Sequence, residues 1–122
     1  MIGIKIMDYL TDFNTTKPAQ HSTVAYVTLE DSIMQKGKPA KAGSKILEGF
    51  TAPFDATIVT RLLDNKYNIA GRTGMNEFGL PSLISAETGD IYDAMKAVSS
   101  GIASYALCND VFGVYRCNAP EQ

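Results

Sequence analysis

The sequence predicts an α/β fold, a sheet with helices, formed as a single domain of 122 residues. Three observations carry this expectation. Two β-rich segments, "STVAYVTL" at 22–29 and "YNIAGR" at 67–72, flank a stretch in which Ile58, Val59, Leu62 and Leu63 recur at one-face helical spacing. A second helical pattern, "IYDAMKAVSS" at 91–100, is followed by another apolar segment, so strands and helices alternate as in βαβ units. The hydrophobic share of 45% suits one apolar core at this length.

Taken in order, "DYLTDFNTTKPAQHS" at 8–22 reads as a short helix or turn and then a loop. The β-branched and aromatic run at 22–29 reads as a buried strand. "QKGKPAKAG" at 35–43 is a loop by its Lys, Gly and Pro content, and "SKILEGF" at 44–50 fits one or two helical turns stopped by Gly49. Asp55 is expected to cap a helix over "ATIVTRLLDNK" at 56–66, after which "YNIAGR" returns as a short strand. Asp90 and Gly101 bracket the second helix as cap and terminator. "IASYALCNDVFG" at 102–113 reads as the closing strand.

Composition excludes several classes. A formal charge of −2 argues against non-specific nucleic-acid binding, which needs a basic surface. No apolar run reaches membrane-spanning length, and "MIGIKIMDYL" lacks the features of a secretion signal, so a cytoplasmic protein is expected. Cys108 and Cys117 lack CxxC spacing and a histidine neighbour, which makes free thiols a better reading than zinc. His21 is the one histidine and sits in a polar loop, so no His-based triad is expected. No cofactor is called for.

The densest motif is "AGRTGMNEFG" at 70–79. Its glycine spacing is neither a dinucleotide fingerprint nor a P-loop, and alone it reads as a turn with room for a short helix at "MNEF". Glu30 and Asp31 are adjacent on a strand, so they face opposite sides and do not form an acid and base pair. There is no G-x-S-x-G elbow, and Ser99-Ser100-Gly101 resembles a helix end.

Three stretches nevertheless resemble the amidase-signature family, in particular the A subunits of tRNA-dependent amidotransferases. "AGSKILEGFTAPFDATIVTRLLDN" is similar to the segment after the family's catalytic lysine. "NIAGRTGMNEFG" is similar to the family's "GKTNMDEF" turn, with Arg72 for lysine and Gly74 for asparagine. "AMKAVSSGIASYALCNDVFGVYR" follows the layout of a small-residue helix, a strand and then D-x-G-G-S-I-R. The resemblance covers roughly residues 23–120. It leaves residues 1–22 as an N-terminal extension of a single domain, 1–122, that carries part of the family's mixed sheet.

What the resemblance implies about chemistry is mostly loss. Family members use a Lys–Ser–Ser relay, in which an unprotonated lysine activates a serine nucleophile through a second serine. The lysine position falls on Glu30, the bridging-serine loop on "ETGDIYD", and the nucleophile on Val114. Asp110, Gly113 and Arg116 persist around that last position. A valine carries no nucleophile, and an ionised carboxylate only accepts hydrogen bonds.

The leading expectation is therefore an amidase-like domain without its own amidase chemistry, acting as a binding or assembly module. Glu30, Asp31, Gly74, Met75, Glu77, Asp110, Gly113 and Arg116 are its candidate binding residues. The alternative is part of a longer or split amidase, or different chemistry at Glu30, Asp31 or Cys108. A purely structural domain is a third reading. Glu30 is read as a strand-end carboxylate facing solvent and Cys108 as a buried core thiol. Family chains continue the sheet past "RCNAPEQ", so an exposed edge is expected to drive self-association or docking to a partner chain, without nucleic acid or membrane.

Overall fold

The computed structural model describes residues 10–13, 25–80 and 93–113. Four strands, β1 (Leu10–Phe13), β2 (Tyr26–Glu30), β3 (Asn68–Thr73) and β4 (Tyr105–Leu107), form one sheet in the order β1-β3-β2-β4. β2, β3 and β4 are mutually parallel, and β1 runs antiparallel along β3. Helix α1 (Thr57–Asp64) joins β2 to β3, and helix α2 (Asp93–Ser99) lies between β3 and β4. β3 and β4 flank β2 on opposite sides, so the topology switches direction around β2. In open α/β sheets that is where a ligand crevice forms, at the carboxyl ends of the strands.

Parallel strands are covered on both faces, and β2 shows it: Val27, Thr28, Leu29 and Glu30 are all buried. Val27 and Leu29 pack with Val59 of α1, and Ile33, Ala56, Leu62, Tyr67, Ile69 and Leu107 close around them. Burying such a side chain contributes about 1.5–3 kcal/mol, so this cluster is the main apolar stabilisation of the sheet. Thr28 and Glu30 alternate onto the other face. α2 buries Asp93, Ala94 and Ala97, one helical stripe that ends where Gly101 adopts φ 76°. Among the described residues, no helix is long and apolar enough to cross a membrane.

The strand–helix–strand unit expected across 22–72 is present, but several details differ. Within 8–22, residues 10–13 are a strand rather than a helix or turn, held by pairs such as Asp12 with Arg72 and Phe13 with Gly71. The segment at 44–50 makes a single 3-10 turn, Lys45–Leu47, capped by the Ser44 hydroxyl, which accepts from the Ile46 N–H. Asp55 does not cap α1. The cap residue is Ala56, while Asp55 Oδ1 accepts from the Lys36 backbone N–H at 2.7 Å, tying the 35–43 loop to the helix entrance. The closing strand is only three residues long, Tyr105–Leu107, rather than running through 102–113. Residues 22–24, Asp90, His21 and Cys117 lie outside the described residues.

Candidate functional site

The carboxyl ends of the three parallel strands bring together the turns at 30–33, 73–79 and 108–113. A register change builds part of this site. Val27 pairs with Ile69 but Thr28 pairs with Gly71, so Ala70 is the extra residue of a bulge. Beyond it, Arg72 lies beside Leu29 and Thr73 beside Glu30. A bulge of this kind re-aims every later side chain, and here it carries Arg72 to the Leu29 face of the sheet.

Glu30 is 2% exposed, not the solvent-facing carboxylate expected from its strand-end position. Its Oε2 accepts from the Ser32 hydroxyl at 3.0 Å and from the Asn109 backbone N–H at 2.9 Å. The Asn109 side-chain amide donates in turn to Ser32 Oγ at 2.7 Å. Ser32 therefore spends its proton on Glu30 while its lone pairs receive the amide. The result is a closed polar network stapling the turn after β4 to the turn after β2.

Asp31 faces the other way, as adjacent strand positions require. Its backbone N–H extends the β2–β3 ladder by donating to the Thr73 carbonyl at 3.0 Å. Its carboxylate accepts backbone N–H groups of Lys41 and Gly43, and Oδ1 lies 3.7 Å from Arg72 Nε. Burial pushes the Asp31 carboxyl above its ordinary range, outweighing Arg72, those backbone donors and Lys41, which all pull it down. Arg72, 1% exposed, donates from Nη2 to the Ile33 carbonyl at 2.7 Å and, more weakly, to the Glu30 carbonyl at 3.5 Å. One buried guanidinium therefore fixes the whole 30–33 turn.

The 41–44 loop docks on the glycine-rich turn. Ala42 and Gly43 both have positive φ, 48° and 67°. A Cβ on Gly43 would sit 2.5 Å from the Met75 carbonyl oxygen, so only glycine permits the approach. The Phe78 N–H donates to the Ala42 carbonyl at 2.8 Å, and the Ser44 hydroxyl donates to Glu77 Oε1 at 2.8 Å. A Cβ on Gly74 would meet Asp93 Oδ2 at 2.9 Å, which links the turn to α2. Asp93 also pairs with Lys96 at 3.3 Å.

The expected site residues thus divide. Glu30 and Asp31 share one turn but serve separate networks. Gly74, Met75 and Glu77 form the docked turn, and Gly113 is buried in the turn after β4. Asp110 is half-buried, and Val114 and Arg116 lie outside the described residues. Cys108 is half-buried rather than a core thiol. Burial, with Glu30 and then Asp110 nearby, pushes its thiol up to about 11, so it is protonated and a poor nucleophile near neutrality. Ser32, Ser44, Asn109 and the anchoring role of Arg72 are not readable from local spacing. A cationic residue inside a strand pattern was the one available sign that Arg72 needs buried partners. Among the described residues, no three His, Cys, Asp or Glu side chains gather as a metal would require.

An α/β chain whose polar residues converge at the carboxyl ends of parallel strands is a common architecture, and comparison narrows it. A family model described as Amidase matches residues 26–88, and the chain belongs to that family. It is similar to the A subunit of the Persephonella marina glutamyl-tRNA(Gln) amidotransferase, 33% identical over 105 residues, covering 74% of this chain and 22% of that protein. The corresponding protein of Methanosarcina acetivorans is 34% identical over 110 residues (76% and 23%), and that of Haloarcula marismortui 31% over 128 residues (91% and 30%). The crystal structure of the Thermotoga maritima counterpart shares the fold, with a TM-score of 0.55 at 19% identity over 84% of this chain and 28% of that one. The chain therefore spans between about a fifth and a third of the length of these relatives.

Proposed function

We propose that this chain is an amidase-family domain without an amide-hydrolysing relay of its own, working as a binding or assembly module. The observation that carries the reading is Glu30. It stands where the family resemblance expects the relay lysine, and its carboxylate is buried and engaged by Ser32 and Asn109. A lysine relay needs an unprotonated amine within reach of a serine; a carboxylate already accepting two donors holds the two turns together instead. The candidate binding surface is the rim of these turns, with Glu77 and Asp110 at its edge and Asp31, Gly74, Met75 and Gly113 shaping it from beneath. Val114 and Arg116 follow in sequence. The relatives are subunits by name, which supports a role exercised in contact with another protein. With a net charge of −2, this chain is better suited to a protein partner than to a nucleic acid. The cytoplasm suits its cysteines as free thiols.

The test is hydrolysis of glutamine and of a simple aryl amide by the purified chain, followed as ammonia or arylamine release. The expected result is no turnover above buffer for the wild type or for Glu30→Ala. Turnover that survives purification and disappears in a folded Glu30→Ala variant overturns the reading.

A further inference from the structure

We propose that Glu30, Thr28 and Thr73 form a buried binding site for an alkali-metal cation on the α2 side of the sheet. The site is separate from the rim proposed above for a protein partner and stands whether or not the chain assembles. The strand register places the three side chains together. Thr73 is the direct partner of Glu30 across the β2–β3 pair, at a strand spacing of about 4.8 Å. Thr28 precedes Glu30 by two residues, so it lies on the same face, about 6.6 Å further down β2. Val27 and Leu29 take the opposite face, against Val59 of α1.

All three are sealed from solvent, with Thr28 0%, Thr73 1% and Glu30 2% exposed. Neither threonine hydroxyl has a hydrogen-bond partner among the described residues. The surroundings of Thr28 explain why: its neighbours on the flanking strands are Gly71 and Ala106, and α2 buries Ala94 and Ala97 over the sheet. Buried hydroxyls are normally bonded, because leaving one without a partner is costly. Glu30 shows a matching gap. Both of its hydrogen bonds, from Ser32 and Asn109, reach Oε2, and among the described residues Oε1 takes none. No ion pair among the described residues reaches this carboxylate either: Arg72 pairs with Asp31, and Lys96 with Asp93.

The donor set selects the ligand. One carboxylate oxygen and two hydroxyl oxygens are hard ligands, which suit an alkali or alkaline-earth ion better than a metal that seeks thiolate or imidazole. Their combined charge is that of one carboxylate, which a monovalent cation neutralises. A divalent ion calls for further carboxylates, and no three His, Cys, Asp or Glu side chains gather among the described residues. A water molecule would satisfy the hydroxyls but leave the Glu30 charge buried without a counterion, which is the larger cost. A bound cation supplies that counterion, and the threonine lone pairs complete part of its coordination.

The test compares thermal midpoints of the full chain in KCl, NaCl and tetramethylammonium chloride at equal ionic strength, for the wild type, Thr28→Val and Thr73→Val. Valine keeps the shape and removes a hydroxyl that has no protein partner, so in tetramethylammonium chloride both variants should melt no lower than the wild type. In KCl or NaCl the wild type should show a saturable gain of about 4–8 °C at ten times the dissociation constant, and both variants should lose it. Crystals of the wild type soaked in RbCl should show anomalous density bonded to Glu30, Thr28 and Thr73. Equal wild-type midpoints in the three salts, or a gain that survives in either variant, overturns the site. Density without an anomalous signal at these oxygens marks an ordered water and also overturns it. The rubidium result decides on the wild type alone if a variant fails to fold.

Discussion

Replacing Gly43 by alanine should destabilise the protein far more than the same change at Gly37, although both glycines have positive φ, 67° and 77°. The left-handed conformation costs a non-glycine residue about 1–2 kcal/mol at either site. At Gly37 nothing lies within 4 Å of the new methyl, so the cost stops there. At Gly43 the methyl would meet Met75 O at 2.5 Å and the Asn76 carbonyl carbon and oxygen at 2.8 Å. These are backbone atoms and cannot rotate away, so the two loops must part. Overpacking of this kind adds about 1–3 kcal/mol. Parting the loops also weakens the Ser44–Glu77 and Phe78–Ala42 hydrogen bonds, each contributing about 0.5–1.5 kcal/mol. The expected difference between the two variants is about 2–4 kcal/mol, read as separate midpoints in urea at equal slope. Equal midpoints would refute the docking of the 41–44 loop on the Met75–Asn76 turn.

Three further outcomes follow from the same geometry. Val59→Ala removes two methyl groups from the fully buried cluster with Val27 and Leu29 and should cost about 2 kcal/mol, measured by urea unfolding. Glu30→Ala should cost about 2–3 kcal/mol because the Asn109 N–H and Ser32 hydroxyl lose their acceptor, whereas Glu30→Gln keeps an acceptor and should cost about 1 kcal/mol; similar midpoints for both would show that the network does not stabilise. Cys108 should react slowly with iodoacetamide at pH 8 and accelerate as pH rises toward about 11. Its folded pKa lies above the ordinary 9.0, so the native state holds more protons than the unfolded one across that interval, and stability should fall as pH rises through it. Cys108→Ser should flatten that decline.

What was legible in the sequence was whatever rests on local pattern. The β-branched run before Glu30, the one-face spacing in 57–64 and the short strand after Tyr67 each carry their own periodicity, and each forms where expected. Misreadings arise where a distant partner decides. Residues 10–13, "LTDF", have no strand pattern and become a strand because β3 has an unpaired edge. Asp55 has the composition of a helix cap, but the Lys36 N–H, nineteen residues away, claims its carboxylate. The site shows the same logic at longer range. Glu30 reads locally as an exposed strand end, yet Asn109, 79 positions later, supplies the donor that makes its burial tolerable. Arg72 reads as a conservative replacement for lysine in the glycine-rich turn. A bulge at Ala70, invisible in composition, turns it inward to hold the backbone carbonyls of Glu30 and Ile33. An exposed lysine-for-arginine exchange would be neutral, but the planar guanidinium serves more than one acceptor here, so Arg72→Lys should cost more than a surface exchange would. Two residues that differ from the family motifs, Glu30 and Arg72, are thus tied to partners in the neighbouring turns. Glu30 and Arg72 act as structural ties, the first between the turns after β2 and β4 and the second between β3 and the turn after β2.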